Sequence, residues 1–121
     1  MAQKTNITKD KSFAFAIRII NLEQYLRRIK KETVLSRQLL RSGTSIGANI
    51  REGYNAESDA DFIHKLGIAQ KECDETCYWL ELLNATNYLD EKQFVSIYAD
   101  AEALLKIIKS VILTKKKNRT L

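Results

Sequence analysis

Three of the four glycines of the chain lie close together, at Gly43, Gly47 and Gly53, in "RSGTSIGANIREG". Glycine interleaved with hydroxyl and amide side chains is the composition of a phosphate cradle, in which bare backbone amides point at an anion. A phosphate loop of that kind needs a lysine and a hydroxyl directly after its last glycine, and here Gly47 is followed by Ala48 and Asn49. A dinucleotide fingerprint needs a G-x-G-x-x-G spacing after a strand, which this stretch lacks. Cradle chemistry is excluded.

Metal and nucleophile chemistry fare no better. Bundle-type di-iron sites need a Glu-x-x-His turn on each of two helices plus carboxylates from the others. Asp61 and His64 make a single D-x-x-H turn, and His64 is the only histidine. Cys73 and Cys77 are one helical turn apart, a spacing that suits neither a zinc ribbon nor a redox C-x-x-C. His64 precedes Cys73 by about two and a half turns of the same helix, too far to activate it. The cysteines read as small core residues. The expectation is a protein with no catalytic residues, no metal and no cofactor.

Cations are a better lead. Arg18, Arg27, Arg28, Lys30 and Lys31 lie in the first third of the chain, and Lys106, Lys109, Lys115, Lys116, Lys117 and Arg119 near its end. Acid concentrates elsewhere, at Glu57, Asp59, Asp61, Glu72, Asp74, Glu75 and Glu81. The net charge of +5 permits an acidic partner without requiring one. No aromatic RNA-recognition motif and no helix-turn-helix pattern accompanies the cations, so a nucleic acid held here is held by its phosphates.

The elements that carry these residues are helices. The 121 residues are 45% hydrophobic and 29% charged, with no proline, a composition for one globular domain of long helices rather than a turn-rich sandwich. Apolar residues recur at steps of three and four in four segments. Residues 12–31 carry Phe15, Ile19, Leu22, Leu26 and Ile29; residues 35–56 carry Leu39, Gly43, Ile46, Ile50 and Gly53. Residues 58–86 carry Phe62, Leu66, Ala69, Cys73, Thr76, Leu80 and Leu83, opened by a capping box from Ser58 to Asp61. Residues 90–115 carry Phe94, Ile97, Ala101, Leu104, Ile108 and Val111, opened by Asp90 and Gln93.

Short connections predict an all-α, antiparallel up-down-up-down four-helix bundle occupying the whole chain. A polar arm (1–11) precedes it, and a frayed basic tail (114–121) follows it. The start, "MAQKTNITKDKS", has no apolar stretch, and "LLKIIKSVIL" is too short to span a bilayer. A cytoplasmic protein without membrane contact is expected.

Within the second helix the glycines acquire a different meaning. Each interior glycine costs about 0.8–1.0 kcal/mol against alanine, so a close neighbour must offset it. Ser42, Ser45, Asn49 and Glu52 run beside Gly43 and Gly47; the six read either as a packing seam between helices or subunits or, for the polar ones, as a solvated face.

The stretch from Gln38 to Leu83, with "SFAFAIRII" at Ser12–Ile20, resembles the 23S ribosomal RNA intervening-sequence proteins, which are four-helix bundles. The pattern of that family falls on Ser42, Ser45, Ile46, Asn49, Ile50 and Glu52; Gly53 stands where members often have alanine. The family is similar to the accessory variability proteins of diversity-generating retroelements, pentameric barrels that bind nucleic acid and a reverse transcriptase. The resemblance implies a ring-like homo-oligomer, a pentamer. The segregation of the cations, taken with those relatives, makes RNA or DNA the expected partner through Arg18, Arg27, Arg28, Lys30, Lys31, Lys115, Lys116, Lys117 and Arg119. Five copies would carry about +25, enough to hold phosphate backbones without sequence preference. The alternative is an oligomeric scaffold that binds another protein and no nucleic acid.

Overall fold

A computed structural model describes residues 6–119. Four helices form a bundle: α1 (Ile7–Arg28), α2 (Leu35–Tyr54), α3 (Asp59–Ala85) and α4 (Glu91–Arg119). There is no strand among the described residues. Each helix packs on its neighbours in chain order, and α1 closes the circuit against α4 with the lightest contact of the four. Along α2 from Arg41 to Glu52, the polar partners on α3 run from Glu75 back to Lys65.

The apolar stripes meet at the centre. Ile19, Leu26, Leu39, Ile46, Ile50, Leu66, Leu80, Leu83, Leu104 and Ile108 are fully buried. Burying a side chain of this kind is worth about 1.5–3 kcal/mol, which makes the stripes the main source of stability. One expected member is absent from the core: Ile29 lies just past the end of α1 and is 67% exposed. The periodicity runs on through Ile29, but the helix ends before the neighbouring helices can cover it.

The ends are set by caps. Asn6 accepts from the amide of Lys9 at 3.0 Å and starts α1 five residues earlier than the apolar pattern, so residues 7–11 of the expected arm are helical. Ser58 accepts from the amide of Asp61 at 3.1 Å. Asp90 and Gln93 exchange bonds in both directions, at 2.7 and 3.0 Å. The far end of α4 does not fray at residue 114. Its helix continues to Arg119, held where Lys115 reaches Asp59 at 3.6 Å and lies 4.9 Å above the ring of Phe62. The remainder of the expected arm and tail lies outside the described residues.

Candidate subunit and nucleic-acid interfaces

The glycines of α2 are where neighbouring helices come closest. A Cβ on Gly43 would lie 2.8 Å from both γ carbons of Ile19 in α1, and one on Gly53 would lie 2.5 Å from a methyl of Leu66 in α3. Gly47 is looser, with Ser12 Oγ at 3.4 Å. The close approach demanded by Gly43 and Gly53 is therefore made inside the chain.

The polar residues beside them do not form one surface. Ser42 is buried and faces α3, its Oγ 2.9 Å from that of Thr76; each hydroxyl also reaches a carbonyl of its own helix. Ser45 donates to the carbonyl of Arg41 at 2.6 Å, and the Asn49 amide donates to that of Ser45 at 2.9 Å. Both are half-buried and satisfied by their own backbone. Glu52 is exposed and pairs with Lys65 at 3.1 Å. Of the six seam residues, Ser42 and Gly43 are interior, Gly47 borders α1, and Ser45, Asn49 and Glu52 occupy other positions around α2.

A different surface is apolar and uncovered. Phe13, Ile17 and Ile20 follow at steps of four and three on α1 and are 58%, 47% and 39% exposed. Phe13 borders a groove of about 770 Å³ between the start of α1 and the end of α2, where Ala16, Thr44, Gly47 and Ala48 form a low wall. Lys9, Arg51 and Lys65 with Glu57 and Asp61 give its rim both signs of charge. Periodicity alone conceals this face, because "SFAFAIRII" is apolar on both sides of the helix. The signal was the excess: more apolar residues than one stripe can use.

The cations divide by location. Arg28, Lys30 and Lys31 sit at the α1–α2 turn with Arg37 just beyond; all four are exposed, and none is in an ion pair among the described residues. Arg27 joins them but pairs with Glu23 at 2.7 Å. Arg18 stands apart and ties α1 to α4, reaching Asp100 at 2.6 Å and the hydroxyl of Ser96 at 3.0 Å. Lys115, Lys116 and Lys117 lie on the last turns of α4, beside the α2–α3 turn, as the Lys115 contacts fix. The length of α2, about 30 Å, separates that end from the α1–α2 turn. The side chain of Arg119 is outside the described ones.

The remaining chemistry-bearing side chains stay separate. Cys73 and Cys77 are buried free thiols. Contact between the two raises the pKa of Cys73, with burial adding to the rise, and lowers that of Cys77. His64 is exposed. Among the described residues no three His, Cys, Asp or Glu side chains come together as a metal site, and no helix is long and apolar enough to cross a membrane.

The model of the 23S rRNA-intervening sequence protein family matches residues 4–110. The chain belongs to this family. As a 23S rRNA-intervening sequence protein, it is similar to a crystal structure from Bacteroides thetaiotaomicron, that of a protein with unknown function from the S23 ribosomal protein family. The two are 55% identical, with a TM-score of 0.87, over 88% of this chain and 98% of the other. No curated protein matches. In this intervening-sequence protein, Ser42 and Ile46 of the family pattern serve the interior, and Asn49 is spent on its own helix.

Proposed function

We propose that this intervening-sequence protein is a non-enzymatic, ring-like homo-oligomer, a pentamer, that associates with RNA or DNA through phosphates in the cytoplasm. The single observation that carries the nucleic-acid role is the α1–α2 turn, where Arg28, Lys30, Lys31 and Arg37 are exposed and, among the described residues, free of ion pairs. Symmetry repeats that cluster once per subunit. The up-down-up-down order is supported by the reversed pairing along α2 and α3, from Arg41 with Glu75 to Glu52 with Lys65. Assembly is supported by the uncovered Phe13, Ile17 and Ile20.

Binding measured against salt tests this reading. Affinity for mixed-sequence RNA and DNA should fall linearly on a log–log plot. Changing Arg27, Arg28, Lys30 and Lys31 together to Gln should weaken all sequences alike and flatten the slope. No retention at about 50 mM salt, where such binding is strong, would remove the nucleic-acid role. A scaffold for another protein is then the reading that stands. The groove beside Phe13 favours it, since charges of both signs around an apolar floor suit a protein better than a phosphate backbone.

A further inference from the structure

Among the described residues, the α1–α2 turn carries the two most exposed of the large apolar side chains, Ile29 at 67% and Val34 at 72%. They are not there because the chain is loose. The amides of Ile29 and Lys30 donate to the carbonyl of Tyr25 at 2.9 and 3.3 Å, and that of Glu32 donates to Leu26 at 2.9 Å. The Glu32 carboxylate, buried beneath the turn, accepts the amides of Val34, Leu35 and Ser36 at 3.1, 2.8 and 2.7 Å. The backbone is fixed on both sides, and two aliphatic side chains are held in water.

A second anomaly lies between them. Lys31 has φ 59°, in the left-handed region that glycine or asparagine enters at lower cost. Glycine there would relax the backbone, yet the position holds a cation. The negative end of the α1 dipole accounts for some of the positive charge nearby. It gives no reason for Ile29 and Val34.

The four cations and the two aliphatic groups are all exposed within one short stretch, residues 28–37. Phosphates alone leave the aliphatic pair uncovered. A duplex turns its base faces inward and presents phosphate and sugar; unpaired nucleotides present phosphates and apolar base faces together. We propose that this turn takes unpaired nucleotides, a single strand, loop or bulge, with Arg28, Lys30, Lys31 and Arg37 on the phosphates and Ile29 and Val34 against the bases. The inference rests on the nucleic-acid reading and names the form of nucleic acid that the same site prefers.

The test uses the full-length oligomer and fluorescence anisotropy on single-stranded RNA, single-stranded DNA and duplex RNA of equal length. The single strands should bind about tenfold more tightly than the duplex. The double variant Ile29→Ser, Val34→Ser should lose that preference while keeping duplex binding and the salt slope. Both side chains are exposed, so the variant should match the melting curve of the original protein. Equal affinity for duplex and single strand, or a double variant that keeps the preference, overturns the inference and leaves phosphate binding intact. Binding to no nucleic acid defeats the underlying reading as well. Capture by vesicles of anionic phospholipid, lost in the double variant, with no preference for single strands, would assign the turn to a lipid surface instead.

Discussion

Gly43 and Gly67 are both helix-interior glycines with opposite neighbourhoods. A methyl group on Gly43 would push into Ile19, itself fully buried, whereas one on Gly67 would meet nothing within 4 Å. Gly43→Ala should therefore destabilise the bundle by about 1–3 kcal/mol through overpacking. Gly67→Ala should stabilise it by up to about 1 kcal/mol, because alanine orders more readily in a helix. Gly47→Ala falls between, with Ser12 at ordinary contact distance. Urea midpoints measure all three. A Gly43→Ala protein as stable as its parent would mean that α1 shifts on α2 at no cost. Tyr98 supplies a pH-dependent contribution. Its hydroxyl donates to Glu81 at 2.8 Å, and this bond, helped by burial and nearby acidic groups, raises its pKa. A raised folded-state value favours the folded protein below the unfolded tyrosine pKa of about 10, and the benefit disappears as pH climbs through the folded value. The midpoint gap between the parent and Tyr98→Phe should hold steady from neutral pH to about 9 and close above about 10.

At the scale of the element, Glu32 does for α2 what no residue at its N-cap does. The cap position itself, Val34, offers no side-chain bond, and Glu32 accepts three amides from two residues upstream. Glu32→Ala should strand those donors in a buried setting and cost about 1–3 kcal/mol, read as a lower thermal midpoint. Glu32→Gln keeps one acceptor and should lie between the two. This cap was not legible in the chain, because capping patterns are sought at the residue before the helix. Ser58 and Asp90 occupy that position, the latter with Gln93 three residues on, and were legible. Stripe periodicity gave the helices and nearly all of the core, since buried side chains must recur on one face. It does not say where a neighbouring helix stops, and so Ile29 was placed inside. Nor does it say which neighbour a residue faces. Ser42 and Asn49 look adjacent on α2, but one meets Thr76 across the interface and the other folds back on Ser45. Phe13, Ile17 and Ile20 escaped because their segment is apolar all round.

For the whole molecule, the question is what covers that second face of α1. Scattered surface apolar groups are normal, but Phe13, Ile17 and Ile20 are three in register on α1, and Phe13 borders the groove walled by Ala16, Gly47 and Ala48. The strip and the groove differ in chemistry from the cationic α1–α2 turn, so the chain presents unlike surfaces in different places. Unlike surfaces that fit each other join head to tail, and such contacts close into a ring when the rotation per subunit divides the circle. The double variant Phe13→Glu, Ile17→Glu would place charge in that contact. If the proposed assembly uses this face, light scattering should then give a mass near 13.9 kDa, with the parent protein at a multiple of it. Circular dichroism should retain the helical signal, because neither side chain belongs to the core. If the proposed ring binds nucleic acid, affinity should drop with the mass although no cation is altered, since such a ring would hold one strand at several turns at once and a monomer at only one. A variant that keeps both its mass and its affinity would move the subunit contact elsewhere. One that loses mass but binds as tightly as before would locate the whole of the binding within a single subunit.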